Sequence, residues 1–462
     1  MARPTPARRL PVAALFVTMA VLAVGCRPVA VERPIDLVGE GPAATSVLIG
    51  CDQATGPILV TATSHLDPAC TYAGPVTIST SGVTLDCQGA RIQSAPGAAG
   101  IGIAVATNGP ADVTDLADVT VRNCVVKGFT NGIRVTRPGF RALVQDHEYE
   151  HGTAGILLEN DHIYETGGSG VYVDAFVTGV TIRGLDIEGA GSVGIYLEAG
   201  STGTLVEHNL IRANGWKGTE PTGIPFVVGS SHFRYISTGR EGIAIDGSRD
   251  NRIIGNRIES NAGGGVLLYK NCGEYHTQKP DQWFHRAYGA DDNLIEGNTI
   301  ADAKVGVWVG SRMSQNSLLW DCSDPAYLTE GFTQVVLDHA ARTTIRGNRF
   351  TDATTGVRVE DDDAVVEGNE FVGRGAATAA VMVGTAYRAD GPGHPVLRTA
   401  VTGNTATIDG NDLPFVTIPG ADALTTTFTG NTANGDSVDA VPVAQPPLDP
   451  FLLVSSFWLE SS

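Results

Sequence analysis

The densest gathering of side chains able to move protons is one stretch, Cys272–Ala290. It holds Glu274, Tyr275, His276, Lys279, Trp283, His285, Arg286 and Tyr288, with Tyr269 and Lys270 just ahead of it. Lys, His and Tyr can take or give a proton, and Arg can neutralise a carboxylate while charge develops beside it. This reading makes Lys270 or His276 the base, Arg286 the carboxylate neutraliser, and Tyr288 or Tyr269 the acid, beside Asp246 of the preceding phrase. The competing reading is a disulfide-pinned loop whose charges face water. A second gathering is acidic: Asp174, Glu198 and Asp246 occupy the same place in successive repeats.

Regular phrases must position both groups. Gly132, Gly170, Gly194, Gly242, Gly265, Gly306 and Gly356 each open a unit in which an apolar residue, an arbitrary residue and a second apolar residue follow. A Gly-Asn-x-Ile/Phe phrase recurs at Asn256, Asn298, Asn348 and Asn369, with weaker copies at Asn209, Asn404 and Asn431. Asn348 and Asn369 stand 21 residues apart. A period near twenty with short apolar-alternating strands is the pattern of a solenoid, in which each inward residue stacks on its equivalent one coil away. The 57 Gly, with abundant Val, Ile and Thr, favour strands and tight turns, and no long 3.6-residue periodicity argues for helix.

Alternation assigns the outward positions. One row reads Arg134, Tyr172, Tyr196, Ala244, Leu267, Trp308, Arg358. The next reads Thr136, Asp174, Glu198, Asp246, Tyr269, Gly310, Glu360. At about 4.8 Å between coils, Tyr172, Tyr196 and Trp308 line one row beside the three acids. Aromatic rows suit sugar faces. Stacked carboxylates suit Ca²⁺ or a shared proton, which makes Asp174, Glu198 and Asp246 the candidate metal ligands. An ordinary solvated sheet face is the alternative. No motif calls for another cofactor.

These repeats, over about Val76 to Ala433, resemble the right-handed parallel β-helix proteins of the pectate-lyase-like superfamily. The resemblance implies an all-β right-handed parallel β-helix with loop insertions. Its members include pectate and alginate lyases, mannuronan epimerases, polygalacturonases and NosD-like accessory proteins. The Asp-Pro-His-Asp motif of the epimerases is absent, and the run Asp361, Asp362, Asp363 does not replace it. The polygalacturonase Asn-Thr-Asp and Gly-His-Gly pair is absent too, and no His/Cys cluster suits copper. No family catalytic set therefore transfers to numbered residues.

Four insertions break the coils: Thr136–Gly152, Trp216–Gly239, Cys272–Ala290 and Ser311–Ala341. The last two leave at the same corner of successive coils, so a Cys272–Cys322 bridge is expected. With Trp216–Gly239 on the other side, they wall a groove whose substrate-binding candidates are Tyr172, Tyr196, Trp308, Trp283, Arg240 and Arg249. Arg240 and Arg249, with Glu241 and Asp250, fit turn ion pairs equally well.

Arg3, Arg8 and Arg9 precede an apolar run, Val12 to Val24, that ends before Cys26. This reads as a lipoprotein signal with lipidation at Cys26; an ordinary secretion signal is the alternative. The expected organisation is a signal at 1–25, a tether at 26–45, the β-helix at 46–435 with the Cys51–Cys70 segment as its cap, and a C-terminal tail at 436–462. The six later cysteines, Cys51, Cys70, Cys87, Cys124, Cys272 and Cys322, suit disulfides in an exported protein. The net charge of −19 argues against a nucleic-acid partner and against membrane binding other than through the lipid. Two functions follow: a cell-envelope lyase or epimerase of acidic polysaccharide, with hydrolysis a third chemistry, or a non-catalytic carbohydrate-binding or scaffold β-helix. Convergence of Lys270, His276, Arg286 and Asp246 on one cleft would favour the enzyme.

Overall fold

The computed structural model describes residues 33–39, 41–94, 99–106, 115–137, 139, 149–150, 152–220, 222–228, 231–271, 286–310, 312–315, 326–328, 334–375, 378–390, 393–411, 413–444 and 455–459. Cys26, His276, Trp283, Cys272 and Cys322 lie outside them, as does the expected bridge between the last two.

The chain winds through three sheets of thirteen strands each. One coil shows the order: Leu294–Glu296 lies in a first sheet, Thr299–Ala301 in a second, and Val305–Val309 in a third, the groove sheet. The next coil repeats it with Thr344–Arg346, Arg349–Thr351 and Thr355–Val359, paired in parallel to the coil before. Strands of two to six residues alternate, so one or two side chains per strand point inward. In the first sheet those residues stack in register as Val121, Leu158, Ile182, Val206, Ile253, Ile295, Ile345, Val366 and Val401. All nine are fully buried. Each contributes on the order of 1.5–3 kcal/mol by leaving water.

The corner between the first and second sheets is built by asparagine. Gly255, Gly297, Gly347, Gly368, Gly403 and Gly430 take φ between +60° and +65° there, a conformation glycine adopts freely. The residue that follows is a buried Asn, and seven stack in a column: Asn209, Asn256, Asn298, Asn348, Asn369, Asn404 and Asn431. Asn256 shows the bonding. Its Nδ2 donates to Asn298 Oδ1 at 2.9 Å and to the Val206 carbonyl at 2.8 Å, while its backbone N–H donates to Asn298 Oδ1 at 2.8 Å. A buried corner thus leaves no side-chain amide hydrogen of Asn256 unused.

The same column starts differently. Its first place is Cys124, disulfide-bonded to Cys87 of the coil before, then Asp161 and Leu185. Asp161 Oδ1 accepts the Cys124 N–H at 2.9 Å, but its Oδ2, fully buried, has no hydrogen-bond partner among the described residues. Leu185, the next rung, offers none. Burial, the largest influence, holds the Asp161 carboxyl well above the usual carboxylate range.

Three details depart from the expected layout. The Cys51–Cys70 segment is itself coil rather than a separate cap. Its strands Ile58–Val60 and Ser64–Leu66, with Thr71–Tyr72 just past it, join the three sheets, and Cys51 and Cys70 are disulfide-bonded. The reason is the inward set Ile58, Val60, Leu66 and Tyr72, all buried. Part of the expected tether is docked as a strap on the asparagine corner. Val38 exchanges two hydrogen bonds with the Asn123 side chain (3.0 and 3.1 Å), Asn160 Nδ2 donates to the Asp36 carbonyl (2.8 Å), and Arg122 donates to Gly41 (3.1 Å). At the other end the coils run on past residue 435, with Val441–Pro442 pairing in the groove sheet. Helix among the described residues is slight, a 3-10 turn at Cys51–Gln53 and the short Ala386–Asp390.

Two small antiparallel sheets flank the groove sheet. Ile224–Val228 and Ser231–Ser237 form a hairpin that Ser455–Leu459 extends. Arg312–Gln315, Gln334–Asp338 and Ala326–Leu328 form the other. The first precedes the strand Glu241–Asp246 and the second follows Val305–Val309, so they stand on opposite edges.

Asp161→Asn should stabilise the protein by about 1–3 kcal/mol, the cost of a buried group left unsatisfied. The folded Asp161 holds its proton more tightly than the unfolded one. Wild-type stability from this group is therefore greatest below the unfolded pKa of about 3.9 and declines as pH rises toward the folded value. The advantage of Asp161→Asn in a urea melt should accordingly be larger at pH 7 than at pH 4. An equal or reversed gain would contradict this account.

Candidate active site

The outward rows of the groove sheet fall in the register read from the sequence. Arg134 pairs with Tyr172, Tyr172 with Tyr196, Tyr196 with Ala244, Ala244 with Leu267, Leu267 with Trp308, and Trp308 with Arg358. Asp246 lies opposite Tyr269 in the adjoining row. The Tyr172 and Tyr196 rings stack at 4.9 Å with 12° between planes.

Each tyrosine gives its phenol to an acid one rung further on. Tyr172 donates to Glu198 Oε2 and Tyr196 to Asp246 Oδ2, both at 2.5 Å. Arg286 lies between the two acids, with Nη2 at 3.4 Å from Glu198 Oε1 and Nη1 at 3.7 Å from Asp246 Oδ2. The same guanidinium donates to the Asn271 carbonyl. Asn271 in turn donates its backbone N–H to Asp246 Oδ1 (2.7 Å) and its Nδ2 to Asp246 Oδ2 (2.9 Å). Asn271 and Arg286 bracket the insertion 272–285, so both of its ends are drawn to Asp246. Asp174 takes a bidentate pair from Arg134, at 2.8 and 2.9 Å.

Exposure separates the two central acids. The Asp246 side chain is 0 % exposed, whereas Glu198 keeps 13 %. Burial raises the Glu198 carboxyl above the usual carboxylate range; Arg286 opposes that rise and Asp246 adds to it. Burial, reinforced by Glu198, holds the Tyr172 phenol well above 10. Tyr196 is held well above 10 by burial reinforced by Asp246. The arrangement therefore offers one reachable carboxyl with raised proton affinity, two phenols that stay protonated, and one cation shared between two acids.

Other candidates fall elsewhere. Lys270 is fully buried, one residue past Tyr269. Trp308, only 3 % exposed, packs with Val193, Ala244, Leu267, Tyr269 and Val305 in a second apolar cluster outside the coil, against which Tyr196 also rests. The aromatic row is thus largely covered instead of open. Arg240 pairs with Glu241 at 3.2 Å and donates to Tyr269 at 3.0 Å. Arg249 lies 3.6 Å from Asp250 and 3.6 Å over the Tyr288 ring. The oxygens of Asp174, Glu198 and Asp246 do not gather into a cation cage. Among the described His, Cys, Asp and Glu, the group with ligand atoms all within 4.8 Å is Cys51, Asp67 and Cys70, whose sulfurs are bonded to each other. Of the four residues looked for in one cleft, Arg286 and Asp246 meet. Sequence reasoning missed Asn271 and Tyr149. The signals for them were slight: a polar residue where a strand gives way to an insertion, and a lone aromatic near the end of another.

Residues 78–276 match the family model described as a right handed beta helix region. The fold is a right-handed parallel β-helix. Among solved structures, this β-helix is similar to the A-module of the mannuronan C-5 epimerase AlgE6 of Azotobacter vinelandii. The match has 16% identity and a TM-score of 0.52, and covers 87% of this chain and 91% of that one. The A-module of the AlgE4 epimerase of the same organism matches with 14% identity and a TM-score of 0.51, over 86% of this chain and 92% of that one. Identities this low show a common fold alone. A comparison with curated protein sequences returns no match.

Tyr196→Phe should lower stability by about 1–3 kcal/mol, because the buried Asp246 loses one of its donors. A urea midpoint shifted down at unchanged m would register it; an unshifted midpoint would mean that the phenol contributes nothing there.

Proposed function

We propose that this β-helix acts on an acidic polysaccharide laid across the groove sheet, by proton transfer at carbon 5 of a uronate residue. The observation that carries the proposal is Arg286 held between Glu198 and Asp246, beside two protonated phenols. A uronate carboxylate entering the site competes for Arg286. As the guanidinium turns to it, Glu198 loses the cation that restrained its proton affinity and becomes the stronger base. The carbon-5 proton passes to Glu198. Tyr172 gives its proton to the departing oxygen at carbon 4 and regains one from Glu198 along their hydrogen bond, which completes a β-elimination. Return of a proton to the opposite face of carbon 5 instead gives epimerisation. Asp246, buried and saturated with donors, holds Arg286 and Asn271 in place. The likeness to two mannuronan epimerase modules supports this choice of substrate class.

Glycoside hydrolysis is a second reading, favoured by one observation. Glu198 and Asp246 are acids in unlike surroundings flanking one cation, and only Glu198 is reachable, which is how acid and base roles divide in a carboxylate pair.

We propose also that the chain is exported and lipidated at Cys26. The disulfides Cys51–Cys70 and Cys87–Cys124 support an oxidising compartment.

The test offers purified protein a panel of uronate and neutral polysaccharides. Ultraviolet absorbance of an unsaturated product reports elimination, and exchange of carbon-5 hydrogen with solvent deuterium reports epimerisation. Either signal should fall by about 10²–10⁴-fold in Arg286→Met and in Glu198→Gln. New reducing ends without unsaturation would replace proton transfer by hydrolysis. Glycan binding with no product on any polymer would make the protein a binding module.

A further inference from the structure

Arg286 owes its place to more than the two acids it touches. The segment that carries it is fastened at the next two residues. Ala287 donates its backbone N–H to the Tyr149 hydroxyl at 2.8 Å. The Tyr288 ring meets Tyr149 edge-on at 5.0 Å and lies under the Arg249 guanidinium at 3.6 Å. Tyr149 is itself seated edge-on against Phe176 at 4.7 Å, and Phe176 is buried with Ala175 and Ala199. Ala199 directly follows Glu198. A continuous run of contacts therefore leads from the coil beneath Glu198, through Phe176, Tyr149 and Tyr288, to the backbone that bears Arg286.

The components come from well-separated parts of the chain. Tyr149 belongs to one insertion, Arg249 to the turn after the Glu241–Asp246 strand, and Tyr288 to the end of another insertion. Nothing in the coil repeat needs them to meet. Tyr288 is 36 % exposed, so burial alone does not hold it. A stacked guanidinium and an edge-on ring add two modest attractions. That suffices to select one placement of a short segment but not to fold a domain.

We propose that Tyr149 and Arg249 are positioning residues that clamp Tyr288, and so set Arg286 against Glu198. The assignment rests on the reading of Arg286 and Glu198 as the working pair. The clamp keeps the guanidinium within reach of Glu198 when no substrate is bound. It also fixes where an incoming carboxylate must go to take the guanidinium away. Neither residue touches the reacting atoms; both act through Arg286.

The test reads the Glu198 carboxyl directly, by ¹³C NMR of full-length protein labelled at glutamate side chains. Among the described residues, the groups facing Glu198 are Arg286, Asp246, Tyr172 and Tyr196, with Arg134 and Asp174 beyond Tyr172. Arg286→Met should move the Glu198 titration to higher pH, because the cation that lies against it is gone. Tyr149→Phe and Arg249→Met should move it the same way by part of that shift. Tyr288→Ala should behave like Arg249→Met, and Tyr288→Phe, which keeps the ring, like wild type. In Tyr149→Phe the Ala287 amide should also lose about ten-fold or more of its protection from hydrogen exchange. A merely structural role would lower the melting temperature and leave the Glu198 titration where it was. That result in Tyr149→Phe and Arg249→Met, with Arg286→Met still shifted, overturns the proposal. An unmoved Glu198 in Arg286→Met overturns instead the reading of the pair on which the proposal rests.

Discussion

The side-chain amide of one asparagine bonded to that of the next coil is the interaction on which the rest of this molecule depends. A strand of three residues cannot hold a register by itself, because it contributes few ladder hydrogen bonds and one inward side chain. The column from Asn209 to Asn431 repairs this at the tightest corner. Each rung fixes the next through both a side-chain donor and a backbone donor. A slipped coil would break several such bonds at once inside a buried corner. The glycine before every asparagine but Asn209, which follows His208, serves the same end by taking the left-handed turn freely. Where the column lacks asparagine, at its start, a disulfide does the joining, and Asp161 stands there as a carboxyl in an amide's place.

Register secured on one corner becomes chemistry on the opposite sheet. Because coils stack without slip, the phenol of one rung meets the carboxylate of the next, as Tyr172 meets Glu198 and Tyr196 meets Asp246. Two such pairs side by side place two acids close together, and the fold then has to supply a cation. It does so from outside the repeat, with Arg286 at the exit of an insertion. The division of labour between rigid coils and a charged segment lying over them is the usual one in solenoids that carry sites on their loops. Here the segment is also tied to the coil at Asp246 and at Tyr149.

The coil and the identity of its outward rows were legible in the sequence because both obey a period. Strand alternation fixes which of Tyr172, Val173 and Asp174 face out, and repetition fixes their neighbours. The acid row Asp174, Glu198 and Asp246 was readable on that ground. What has no period was not readable. Lys270 and Trp308 carry the right chemistry but are covered in the folded protein, and no alternation rule announces a cover. The meeting of Tyr149 with Ala287 joins two irregular insertions, and their lengths say nothing about where they touch. The docked strap was hidden for the opposite reason. Its sequence is that of a loose linker, and it is held through backbone groups, which any sequence possesses, by the side chains of Asn123 and Asn160.

That strap changes how a mechanical load would enter the molecule. The chain does not pass straight from residue 33 into the first coil. It runs first along the corner shared by the two sheets that do not form the groove, fastened at Asn160 and then at Asn123. A pull on the N-terminal side is therefore delivered to the flank of the stack, several coils in, and is resisted in shear by side-chain amides before the terminal coil feels it. A pull applied there would turn that corner toward its source, and the groove sheet, which has no part in that corner, would face away from it.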